Sequence, residues 1–200
     1  MSSGPVLRPH VQTRTHLVML GPPGAGKGSQ ATLLAQRLGI PAISTGDIFR
    51  ANVSDATGLG AVAERYMDVG EYVPDEVTNA MVRDRLRRPD ARDGFILDGY
   101  PRTLEQVDEL DSILGEQGRS LDAVVELVAQ EGLVVERMLR RAQTQGRLDD
   151  TDAVIRRRLE VYAEQTEPLA RVYRERGLLV AVPGMGTIDE VAERIAAALA

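Results

Sequence analysis

The chain has 200 residues, 43% of them hydrophobic and 27% charged, with a formal net charge of −6 and no cysteine. Such a length and composition suit one globular α/β domain of ordinary size and exclude a disordered or fibrous chain. The acidic balance argues against general nucleic-acid binding, and the lack of cysteine excludes disulfides and thiolate metal sites and fits a reducing cytoplasm.

In chain order, MSSGPVLRPHVQTRT (1–15) has no apolar stretch of the kind a signal peptide needs and reads as a disordered tail. No later run approaches the length of a membrane span. THLVML (15–20) reads as a buried strand, ended by Gly21 and two prolines. In KGSQATLLAQRL (27–38), Ala31, Leu34, Ala35 and Leu38 recur at helical spacing, and Gly39 stops the helix. FILDG (95–99), AVVELVA (123–129) and GLLVAV (177–182) read as further buried strands, with IPAIS (40–44) a weaker one. Helical stripes lie between them: Val77, Met81, Val82 and Leu86, then Val107, Leu110, Ile113 and Leu114. Residues 151–176 read as one long polar-faced helix and 187–199 as a closing one.

Strands alternating with helices imply parallel strands, right-handed crossovers and cover on both faces. Residues 44–73 interrupt the alternation with short helices and glycines at 46, 58, 60 and 70. Residues 142–150, AQTQGRLDD, are polar around a central glycine. Both read as movable surface insertions.

GPPGAGKGSQ (21–30) carries the strongest chemical signal. Lys27 is the only lysine in the chain; every other basic side chain among the 24 is arginine. Gly21, Gly24, Gly26 and Gly28 let successive N–H groups turn inward, and the following helix adds the positive end of its dipole. Lys27 supplies a compact charge, and the whole reads as a cradle for nucleotide phosphates. The general motif has Ser or Thr directly after the lysine; here Gly28 stands there and Ser29 follows. Read alone, the arginines at 137, 140, 141, 147 and 156–158 suit solvated helix faces or a local anion site.

Further landmarks arrive in order: STGDIFR (44–50), GEYVPDE (70–76), FILDGYPRTLEQ (95–106), GRLDD (146–150), RRRLEVY (156–162) and GMGTIDEV (184–191). With the loop, they make the chain resemble the adenylate kinases, nucleoside monophosphate kinases of the short-lid form, from about residue 16 to the C-terminus. The resemblance implies a P-loop NTPase-like three-layer α/β fold with a five-stranded parallel sheet. It implies a single core domain over 16–200, with 44–73 as the monophosphate-binding region and 140–150 as a short lid closing with it over the substrates. Gly24, Ala25, Gly26, Lys27, Gly28 and Ser29 would hold the ATP phosphates. Arg137 and Gly186 would lie along the ATP adenine, and Arg141 on its phosphates. Thr45, Arg50, the Glu71–Tyr72–Val73 backbone, Gly99, Tyr100, Pro101, Arg102 and Gln106 would hold AMP, Gln106 reading its adenine edge. Arg147 and Arg158 would close on the phosphoryl group in flight; Asp149 and Asp150 read either as orienting the lid arginines or as plain loop solvation. Arg83, Arg85, Arg87 and Arg88 match no motif and read as solvated surface.

What the resemblance implies is reversible transfer of the ATP γ-phosphate to AMP, giving two ADP, with Mg²⁺ and no structural zinc. A cytoplasmic monomer is the corresponding expectation, with no membrane or nucleic-acid partner. Phosphoryl transfer asks mainly for positioning and charge stabilisation, and the AMP phosphate, with a second pKa near ~6, needs no general base. His10 and His16, the two histidines, lie in the tail and at the first strand's start. Asp98 would order the water shell of Mg²⁺; its plainer reading is a turn or capping aspartate. A UMP/CMP kinase is the sibling alternative, disfavoured by Thr45 and Thr103. A GTPase switch would need an N-K-x-D segment, which a chain with no second lysine lacks. A nucleotide-binding scaffold without turnover is the remaining alternative.

Overall fold

The computed structural model describes residues 15–145 and 151–200. The strands β1 (Thr15–Leu20), β2 (Ala42–Ser44), β3 (Gly94–Asp98), β4 (Ala123–Val128) and β5 (Leu179–Pro183) form one sheet in the order β2-β3-β1-β4-β5. Every pairing is parallel. β1 is therefore central, and its residues from His16 to Leu20 are all buried, without the alternation of a one-sided strand.

The pleat sends alternate side chains to two cores. On one face Val18, Leu20, Phe95, Leu97 and Val124 pack against α4 (Asp75–Leu86), α5 (Leu104–Glu116) and α8 (Glu167–Glu175). On the other, Leu17, Met19, Ile96, Val125 and Leu127 meet α1 (Lys27–Leu38) and α9 (Ile188–Ala198). The stripes at 82–86 and 107–114 supply the first core, and Ala31, Leu34 and Ala35 the second. α9 opens with a capping box: Thr187 accepts from Glu190 N–H while the Glu190 carboxylate accepts from Thr187 N–H.

Residues 44–73 contain α2 (Thr45–Ser54) and α3 (Gly58–Met67), with a small core of their own around Phe49, Ala63 and Val73. Val77 and Met81 of α4 join that cluster, so one helix serves two cores.

Four expectations need correcting. The tail as read includes Thr15, which begins β1 and pairs with Gly94; residues 1–14 lie outside the described residues. The polar stretch 142–150 starts inside a helix, because α6 (Glu131–Gln145) continues through 142–145; residues 146–150, with Asp149 and Asp150, lie outside the described residues. The long helix at 151–176 is three pieces: α7 (Asp152–Val161), a π-helical turn (Tyr162–Thr166) and α8. Pro168 is the cause, since it has no N–H to offer the carbonyl four residues back; the turn before it widens, and Glu167 N–H reaches Tyr162 O instead. Arg83 and Arg85 are not free solvated cations. Arg83 bridges Glu109 and Glu116 at 2.8 and 2.6 Å, tying α4 to α5, and Arg85 holds Asp90 through both terminal nitrogens.

Candidate active site

Parallel strands place their loops together at one edge of the sheet. The register sets Asp98, the last residue of β3, beside Met19 of β1, so Asp98 ends next to the loop that follows β1. Between that loop and residues 44–73 opens a cleft of about 480 Å³.

One wall is the glycine-rich loop. Gly24, Gly26, Lys27, Gly28 and Ser29 line the cleft. Ala25 does not: it is buried in the core beneath α1, and its N–H donates to Pro22 O within the loop. Lys27, the first residue of α1, is partly buried and donates from Nζ to Gly21 O at 2.7 Å and Pro22 O at 2.9 Å. Loss of hydration pulls its ammonium down from 10.5 to about 8; Asp98 opposes this, and Arg102 and Arg141 add to it. Gly28 is explained by the same neighbourhood. A Cβ there would lie 3.2 Å from Asp98 Oδ2, so a side chain directly after the lysine would press on that carboxylate.

The opposite wall comes from 44–73 and the β3–α5 connection. Thr45, Arg50, Glu71, Tyr72, Val73, Gly99, Pro101, Arg102 and Gln106 all line it. Gly99 turns the backbone within this wall, with φ +80°. Its carbonyl accepts from Thr45 Oγ1 at 2.9 Å and Arg102 Nε at 2.8 Å, and a Cβ would meet both those side chains within 3 Å. Tyr100 turns the other way: its ring is fully buried and its hydroxyl donates to Asn79 Oδ1, so it does not line the cleft. The Tyr100–Pro101 peptide is cis.

The third side is α6 and α7. Arg137, Arg141 and Arg158 line the cleft, Arg137 touching Gly184 O and Arg158 touching Met67 O, each at 3.4 Å. Gly186, in the turn before α9, does not line it. Arg147 lies outside the described residues. Among the described cleft residues, five arginines and Lys27 face three acids, Asp47, Glu71 and Asp98. Asp47 pairs with Arg50, and Glu71 with Arg157 at 2.7 Å. An acidic chain thus gathers positive charge in one place, where it draws in polyanions.

Reasoning from sequence missed two groups. Thr166, in the π turn, is buried and donates to Arg102 O at 2.8 Å while accepting from the Tyr72 hydroxyl at 2.8 Å. The Arg102 guanidinium lies 4.8 Å from the centre of the Tyr72 ring. A proline two residues after a threonine, inside a helical pattern, was the available signal. Asp75 holds the Gln106 amide, and nothing in its sequence position announces that.

Oxygen donors suited to a hard cation are present, Asp98 and Ser29 on the same wall. Among the described residues no group of three or more His, Cys, Asp or Glu is arranged to hold a metal. No helix among them is long and apolar enough to cross a membrane.

A phosphate loop between β1 and α1, at the edge of a parallel sheet with β1 central and facing an arginine-lined cleft, defines a P-loop phosphotransferase. Comparison with known proteins narrows the class. A family model described as adenylate kinase matches residues 19–178. The chain is 60% identical over 185 residues to the adenylate kinase of Kocuria rhizophila, covering 92% of this chain and 98% of that protein. It is 58% identical over 183 residues to that of Nocardioides sp., covering 92% and 96%. With that of Clavibacter michiganensis subsp. michiganensis it shares 58% over 186 residues, covering 93% of each. The chain belongs to the adenylate kinase family.

Proposed function

We infer that this protein catalyses reversible transfer of the γ-phosphoryl group of ATP to AMP, giving two ADP. The observation that carries the reading is the two-walled cleft: a phosphate loop on one side, and Thr45, Arg102 and Gln106 on the other, with cations between. The sibling reading, a UMP/CMP kinase, is not favoured by the relatives, which are adenylate kinases.

In this reading residues 24–29 hold the ATP phosphates, Ala25 through its place in the loop, while Arg137 and the Gly186 turn border its adenine. Residues 44–73 hold the AMP side, with Arg50 and Arg102 on its phosphate and the 71–73 backbone along its base. Arg141 lies on the ATP phosphates, and Arg158 faces the phosphoryl group in flight, the role also proposed for Arg147, which lies outside the described residues. Planar guanidinium forks suit charge spread over several oxygens, as ammonium does not. The acceptor phosphate attacks in line and is already ionised near neutrality, so no side chain need take a proton and no covalent intermediate forms. Mg²⁺, held through water by Asp98 and Ser29, would neutralise charge on the nucleotide phosphates. Both walls come from one polypeptide, which supports action as a monomer, and a chain without cysteine suits the cytoplasm.

The test is a panel of nucleoside triphosphate donors against monophosphate acceptors, with products identified. ADP from ATP plus AMP, in preference to UMP or CMP, is the expected result; faster turnover of UMP or CMP sinks the reading, and no turnover at all leaves a binding scaffold.

Lys27 also predicts a pH profile. The phosphates need its charged form, so kcat/KM for ATP should hold below pH ~8 and fall about tenfold per unit above it. Stability moves the other way. Between about pH 8 and 10.5 the unfolded chain keeps this proton and the folded one has lost it, so this group adds stability as pH rises. A profile flat through that window would show that the lysine stays charged throughout.

A further inference from the structure

Gln106 is 1% exposed, yet both ends of its amide are already engaged. Oε1 accepts from Arg102 N–H at 2.8 Å, and Nε2 donates to Asp75 Oδ1 at 2.6 Å. Asp75 opens α4, and its second oxygen accepts from Thr103 Oγ1 at 2.6 Å. Thr103 caps α5 by accepting from Gln106 N–H at 3.2 Å, which closes the ring of bonds. A backbone N–H can only donate and an ionised carboxylate can only accept. The amide therefore has one orientation. Turned over, it would set NH₂ against N–H and oxygen against carboxylate, forfeiting both bonds.

Each end of the amide keeps one valence. Oε1 has a second lone pair and Nε2 a second hydrogen, and Gln106 lines the cleft. We propose that Asp75 is a specificity-determining positioning residue, fixing the polarity with which Gln106 meets the acceptor base. The proposal rests on the reading that Gln106 faces that base. An acceptor beside a donor complements an amino N–H beside a bare ring nitrogen, as on adenine. It opposes a carbonyl oxygen beside a ring N–H, as on hypoxanthine, a purine of nearly the same size. Sites whose buried polar groups would be left mispaired reject such analogues strongly.

The experiment compares AMP with inosine monophosphate as acceptors, ATP being the donor. The wild-type protein should prefer AMP by on the order of 10³ in kcat/KM; comparable turnover of the two would show a freely turning amide and overturn the proposal without any variant. In Asp75→Leu, and in Asp75→Ala as a second variant, neither of which leaves an acceptor for Gln106 Nε2, the AMP-to-IMP ratio should fall about tenfold or more, through a raised KM for AMP with the KM for ATP unchanged. A merely structural role at the α4–α5 junction would slow both acceptors alike, and a ratio within about twofold of wild type in a folded variant overturns the proposal. Gln106→Leu separates the two levels. If it collapses the ratio while the Asp75 variants do not, Asp75 is not the determinant; if it leaves the ratio intact, the base is not read at Gln106 and the site reading fails with it.

Discussion

Lys27→Arg should lose most turnover, about a hundredfold or more, while the protein stays folded. The ammonium is held within 2.9 Å of two carbonyls of its own loop, on a slender stem, with its third hydrogen left for a phosphate. A guanidinium is broad and planar, spreads its charge over three nitrogens, and cannot settle into the same fold of backbone. The wall beside it has little slack, since even a Cβ at position 28 would crowd Asp98. Lys27 belongs to none of the hydrophobic clusters, so circular dichroism and the melting temperature should be close to wild type. Initial rates of ADP formation measure the effect, and near-normal activity would mean that the loop has been misread.

Arg102→Lys should lower kcat/KM for AMP by on the order of a hundredfold, or roughly 3 kcal/mol in the transition state. The backbone bonds at this position survive the change: N–H to Gln106 and the carbonyl from Thr166 need no guanidinium. What is lost is the Nε bond to Gly99 O at 2.8 Å and the face of the Tyr72 ring at 4.8 Å. Those contacts fix the plane of the fork, and a fork fixed in advance costs little to place on a phosphate. A lysine keeps the charge and loses the plane. Arg171→Lys is the comparison: that residue is exposed, paired with Glu175 one turn away, and should change activity less than about twofold. Equal effects at both positions would reduce the arginine requirement to net charge.

Much of the fold was legible because its signals are local. Lys27–Leu38 was read to the residue, since a helix stripe and a stopping glycine both lie inside thirteen residues. The strands stood out as apolar runs: THLVML was read to the residue, and the others were missed at one or both ends by one or two residues; of the run at the sheet edge read as buried, only Val182 of β5 is buried. The break at 162–166 was missed because the pattern of 151–176 stays amphipathic across it; one proline outweighs that pattern through a single absent N–H. Arg83 and Arg85 were read as solvated because their partners, Glu109, Glu116 and Asp90, lie on other elements or across a turn.

The site divides in the same way. A phosphate loop is one continuous segment whose glycine spacing and lone lysine state its chemistry, so the sequence by itself determined the loop, the parallel α/β class and the family. Which arginines share a cleft, that Ala25 and Tyr100 turn into the protein, and that Asp75 grips Gln106 were decided only by the tertiary structure. The reason is geometric. Side-chain orientation and hydrogen-bond polarity come from elements separated by 21 to 94 positions along the chain, as in Tyr100 with Asn79 or Tyr72 with Thr166, and no local pattern encodes which of them will meet.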